Sequence, residues 1–249
     1  MRPAPGSFLW LVAYHLMLTW RRFGGAFRHL NLAWTMALII AAQMIFHLIA
    51  LPAANWFGRL EADPDPAGYH LALAAGGLLI LSWVTAQALT SSTRALNANG
   101  ELDLLLASPA NPRDIVASRA VAIAVEATGS VAVLAAPVIN MNVLSGRYHW
   151  LAAYPILLGA GLLGTSIGLA VAVALFAIMG PRRARLTSQV AAALIGGGFV
   201  LVVQIANLLP QAWRDRLIEL FQADGRGEAF HSGLAWLPAR AAADRAVLA

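Results

Sequence analysis

The chain has 249 residues, of which 59% are hydrophobic and only 12% charged. A soluble domain carries about 25% charged residues, so a water-soluble globule is a poor fit. With no cysteine and no lysine, it has no disulfide, no thiolate nucleophile or metal ligand, no Schiff-base lysine and no standard phosphate-binding P-loop.

All 17 basic residues are arginine, and the formal net charge is +5. The arginines sit at the ends of apolar runs, so membrane topology explains them better than nucleic acid does. The expected fold class is an all-α integral membrane protein, a polytopic helical bundle.

The first apolar stretch, Phe8 to Trp20, ends in Arg21-Arg22 and shows no small-residue cleavage site. Phe8, Leu11, Val12, Leu16 and Leu18 alternate with Tyr14, His15 and Thr19, and Trp10 and Trp20 are typical of a membrane interface. Residues 1–30 therefore read as an amphipathic helix lying on the cytoplasmic membrane surface.

Five apolar runs follow, drawn at Leu32–Ala54, His70–Ser91, Ala120–Leu144, Leu151–Met179 and Val190–Leu209. Each approaches or exceeds the roughly 20 residues that a helix needs to cross hydrocarbon. A cytoplasmic N-terminus puts ten arginines inside and only Arg59 and Arg147 in the two short outer loops. That asymmetry fixes the expected orientation. Residues 211–249 then form an external tail, with Trp213–Gln222 as an amphipathic helix on the outer surface. An odd number of spans before such an ending suggests a missing sixth span, and hence a fragment or truncated product.

Residues 94–119 join the second and third spans in the cytoplasm. Leu102, Leu105 and Leu106 fall at i, i+3 and i+4, an apolar stripe on a short helix flanked by Glu101 and Asp103. Ser108-Pro109 ends that helix, because the residue before proline is pushed out of the α region. Asn111-Pro112-Arg113-Asp114 reads as a new start, with Asn111 the N-cap and Pro112 the first helical position. Exposed leucines held off the membrane imply a groove on a partner.

At these residues the chain resembles the membrane subunits of type-2 ABC exporters. Their first cytoplasmic loop reads like E-L-x-x-L-L-x-S-P-x-x-x-x-[DE]-I. Here that is Glu101-Leu102, Leu104-Leu105-Leu106, Ser108-Pro109 and Asp114-Ile115, with Arg119 opening the next span.

The resemblance implies a coupling helix that docks on a separate ATP-binding cassette subunit through Glu101, Leu102, Leu104, Leu105, Leu106, Ser108, Pro109, Arg113 and Asp114. It implies a multi-pass permease in a bacterial inner membrane. ATP and magnesium would sit on the partner, and a second permease half, identical or different, would complete the path. The chain itself would carry no cofactor, metal or catalytic residue. The alternatives from other classes are a non-transporting membrane scaffold using the same loop and an intramembrane serine hydrolase acting through Ser166.

Other motifs weigh less. Gly159-Ala-Gly161-Leu-Leu-Gly164 matches a dinucleotide fingerprint, but lies inside an apolar run with no strand before it. Close helix packing through small residues is the expected role, also for Gly168 and Gly196. Gly164-Thr-Ser166-Ile-Gly168 matches a nucleophile elbow, but the only intramembrane histidine to serve Ser166 as base is His47.

Glu126 is a carboxylate inside the third run. It is expected to pair with Arg119, two turns away, or with an arginine of the N-terminal helix, in a gating or structural contact. Gln43, His47, Asn140, Asn142, Gln204 and Asn207 are expected to make interhelical hydrogen bonds or to line a path. Arg182-Arg183-Ala-Arg185 reads as a basic turn facing anionic lipid.

Overall fold

In a computed structural model the protein is described over residues 4, 6–25, 31–63, 67–97, 111–208 and 210. Among these there is no strand. The elements are α1 (Phe8–Gly25), α2 (Leu32–Ala62), α3 (Ala67–Asn97), α4 (Pro112–Leu144), a 3-10 turn (Tyr148–Ala152) and α5 (Ala153–Leu208). Four helical stretches are long and apolar enough to cross a membrane: Leu32–Ala62, Gly68–Leu96, Pro112–Leu144 and Tyr148–Gly180. The coupling residues Glu101 to Pro109 and the tail 211–249 lie outside the described residues.

The helices overrun the apolar runs because helix-forming polar residues extend them past any membrane boundary. Arg59 and Glu61 are therefore not loop residues, as expected above, but belong to the last turn of α2. At 31 residues, α2 is about 46 Å long, well beyond a 30 Å hydrocarbon layer.

The arginines after Pro181 likewise form no turn. Only Gly180 leaves the helix, at φ 72° and ψ 169°, and α5 resumes at Pro181. That backbone region is open essentially to glycine alone, and proline pushes the residue before it to extended ψ. A Gly-Pro pair thus breaks α5 into two arms without a loop.

Both arms pack on α3. Leu89, Ala172 and Ala192 form one buried cluster with Ala86, Val171, Leu175 and Ile195 around it. Glycines let the first arm approach closely. A Cβ at Gly168 would lie 2.8 Å from the Leu89 nitrogen and the Thr85 carbonyl, and one at Gly164 would lie 2.9 Å from Val84. One at Gly161 would collide with the Thr128 hydroxyl of α4. Helix packing is therefore the role of these glycines, as their intramembrane setting predicts. A second cluster of Val84, Ala88, Ile123, Ala127, Val131 and Leu157 joins α3, α4 and α5.

Pro112 opens α4 as expected: the Asn111 side chain accepts from the Arg113 nitrogen at 3.0 Å. From that corner α4 runs unbroken for 33 residues. α1 packs on its first half, with Leu11 and His15 buried one helical turn apart.

Candidate functional site at the loop end

The end of the bundle that carries residues 98–110 is called the loop end. Three helices converge there around an open recess lined by His15, Leu18, Ser91, Arg94, Arg119, Ala122, Ile123 and Glu126. Helical spacing places them. Arg119, Ala122, Ile123 and Glu126 stand at i, i+3, i+4 and i+7 on one face of α4. Ser91 and Arg94 stand at i and i+3 in the last turns of α3, and His15 and Leu18 at i and i+3 on α1.

An Arg119 Nη1 donates to His15 Nδ1 at 3.1 Å. Arginine only donates, so this bond requires His15 Nδ1 to be an acceptor. Arg94 Nη2 donates to the Ser91 hydroxyl at 3.2 Å. Tyr14 meets the edge of the His15 ring at 5.6 Å between centroids, and Trp10 stacks on Tyr14 at 5.7 Å.

Arg119 and Glu126 thus share one recess, but no ion pair links them among the described residues. Arg119 donates instead to His15 of α1, and the side chains of Arg22 and Arg28, the other partners expected for Glu126, lie outside the described residues. Arg113 is exposed and Asp114 half-buried in the first turn of α4. The other coupling-helix residues fall outside the described part.

A second constellation links α2, α4 and α5. His47 Nδ1 donates to the Gln43 carbonyl at 2.7 Å, and His47 Nε2 accepts from Asn140 Nδ2 at 3.2 Å. Tyr154 donates its hydroxyl to Asn140 Oδ1 at 2.5 Å. The chain of bonds is self-consistent with a neutral imidazole protonated on Nδ1. Both ring nitrogens of His47 are thereby engaged. Ser166 is exposed and gives its hydroxyl to the Leu162 carbonyl at 2.8 Å, an ordinary helical back-bond.

The far end holds a third. Arg147 Nε donates to Asn142 Oδ1 at 2.8 Å, and its Nη2 donates to the Ala54 carbonyl at 3.0 Å. Glu61 lies 3.9 Å from Arg147, an ion pair too long for a hydrogen bond, and 3.7 Å from His149, an ion pair only when that ring is protonated. The guanidinium fills the space where Gly58 has no side chain. Beside it Phe57 packs edge-on against Trp150 at 5.0 Å.

Sequence reasoning missed the partnerships of His15, Arg147 and Tyr154. Ala54 and Gly58, four apart on one face of α2, are a small-residue signal of close approach. Here the group that approaches is a guanidinium rather than a helix. The contact of His15 with Arg119 spans 104 positions and leaves no local trace. No family profile, curated protein or solved structure matches this chain.

Proposed function

We propose that the chain is the permease subunit of an ATP-driven exporter in a bacterial inner membrane, coupled through residues 98–119 to a separate ATP-binding subunit. The N-terminus is cytoplasmic in this reading, as the arginine asymmetry indicates. A second permease half completes the path. The observation that carries it is the join at Asn111-Pro112. There a capped corner leads directly into an unbroken 33-residue helix. A push delivered at Asn111 enters α4 at its first turn.

The leucine stripe supplies the docking face and the charged flanks orient it. The bundle then changes access as α3 and α4 tilt. The Gly-Pro break in α5 divides that helix into two arms.

The test is co-purification with the ATP-binding subunit encoded beside this chain. Leu105→Asp is expected to abolish the complex while membrane insertion stays normal. Retention of the ATPase by that variant would sink the reading.

A further inference from the structure

The loop-end recess gathers charged groups that suit an anionic ligand at its mouth. Two guanidinium groups, Arg94 and Arg119, face one carboxylate, Glu126, around it. With His15 accepting from Arg119, the described lining carries one net positive charge. Among the described residues, Arg119 gives one donor to His15 and Arg94 one to Ser91, out of five on each guanidinium. The walls combine those donors with the Ser91 hydroxyl. Leu18, Ala122 and Ile123 add an apolar floor. The recess is shallow and open: its enclosed part amounts to about 20 Å³, so a ligand would sit in its mouth rather than inside it.

Its position is at a boundary. Arg94 is exposed at the end of α3, Arg119 is half-buried two turns into α4, and the Trp10–Tyr14 stack lies alongside. Aromatic and arginine side chains at the ends of apolar helices mark the headgroup level of a bilayer. Forked guanidinium groups match phosphate oxygens, and basic pockets between such helices take phosphate headgroups.

We propose that this recess binds a phosphate ester carrying a single negative charge, held by Arg94 and Arg119 with Ser91 beside them. One such anion brings the recess to neutrality. Glu126 sets the limit: it repels a second negative charge, so doubly charged phosphates bind less well. Because His15 hangs on Arg119, an occupied recess also stiffens the seating of α1 on α4. The proposal stands independently of the transport reading.

Native mass spectrometry of the full chain in detergent tests it, with phosphatidylglycerol, phosphatidylcholine and the soluble diester glycerophosphoglycerol as probes. Phosphatidylglycerol is expected to be retained over phosphatidylcholine, whose choline cation cancels the charge. Arg94→Gln should weaken binding about tenfold, the loss of one charged hydrogen-bonding group. Glu126→Gln should strengthen it, a response that a purely structural carboxylate would not give. Arg113→Gln, at an exposed arginine not lining the recess, should change nothing. Glycerophosphoglycerol binding with the same dependence on Arg94 assigns the site to a soluble ester rather than a lipid. Retention of no probe, or equal retention by wild type, Arg94→Gln and Arg119→Gln, would overturn the proposal.

Discussion

α2 and α3 are equal in length at 31 residues, and both are apolar enough to cross a membrane. Their surroundings differ. In the most apolar window of α2 only 6% of residues are buried within the protein, against 24% in α3. The second half of α3 is rich in small residues, and Val84, Thr85, Ala88, Leu89, Ser91, Ser92 and Thr93 are buried there. The first half of α2 presents Trp34, Met36, Ile40, Ile45, Leu48 and Ile49 outward.

Hydrocarbon is as apolar as leucine, so apolarity does not bury a helix against its neighbours in a bilayer. Small residues do, by letting backbones approach. α3 is held by shape along its length; the apolar half of α2 is held mainly by polar tethers at His47 and Ala54, and only its last turns pack apolar side chains, Phe57 and Leu60, against the cluster of Tyr69, Ile139 and Trp150.

The largest effect should come from breaking the shape. Gly168→Ala puts a methyl group 2.8 Å from two backbone atoms of α3, which cannot rotate away. Overpacking of this kind costs about 3 kcal/mol. The expected result is a marked fall in thermal stability in detergent, or loss of the folded species on size-exclusion chromatography. Gly159→Ala in the same helix meets nothing within 4 Å and should leave stability unchanged or slightly raised. Equal effects of the two substitutions would remove close packing as the cause.

Next comes the strongest tether. Arg147→Ala removes the donors to Asn142 and to the Ala54 carbonyl, and leaves Asn142 fully buried with its oxygen short of a partner. Leaving a buried acceptor unpaired costs about 2 kcal/mol. Arg147→Lys keeps the charge but not the fork that reaches both partners, so it should recover only part of the loss. A chemical cross-link between α2 and α4 near Ala54 and Asn142 should become less efficient in Arg147→Ala. An unchanged cross-link would mean that α2 is seated by something else.

Elements were legible in the sequence where the signal is local. The Asn111-Pro112 start needs only four adjacent residues, and the glycine pattern at 161, 164 and 168 needs one helix face. Helix ends were less legible, because the edge of an apolar run marks where a membrane would stop and not where hydrogen bonding stops. Arg59 and Glu61 lie beyond the first edge and within the second helix boundary.

Arg182 to Arg185 read as a turn, yet a single glycine outside helical space at 180 suffices to redirect the chain. The recess was half legible. Arg119 and Glu126 share a face of α4 by spacing alone, whereas His15 and Arg94 come from α1 and α3 and meet only through the fold.

The weakest tether gives the finest measure of how α2 is seated. Asn140 stands between His47 and Tyr154, so Asn140→Leu removes two interhelical hydrogen bonds at once. In hydrocarbon each such bond contributes only about 0.6 kcal/mol, because a displaced polar group finds other partners. His47→Phe removes the α2 side of the network alone and leaves the bond from Tyr154 intact. A double-mutant cycle on His47 and Asn140, read by reversible unfolding in detergent, should give a coupling energy of about 0.6 kcal/mol. Coupling near zero would mean that the imidazole and the amide are adjacent without holding α2 to α4. Coupling well above 2 kcal/mol would mean that α2 is far less free than its bare apolar surface implies, and the contrast with α3 would fail.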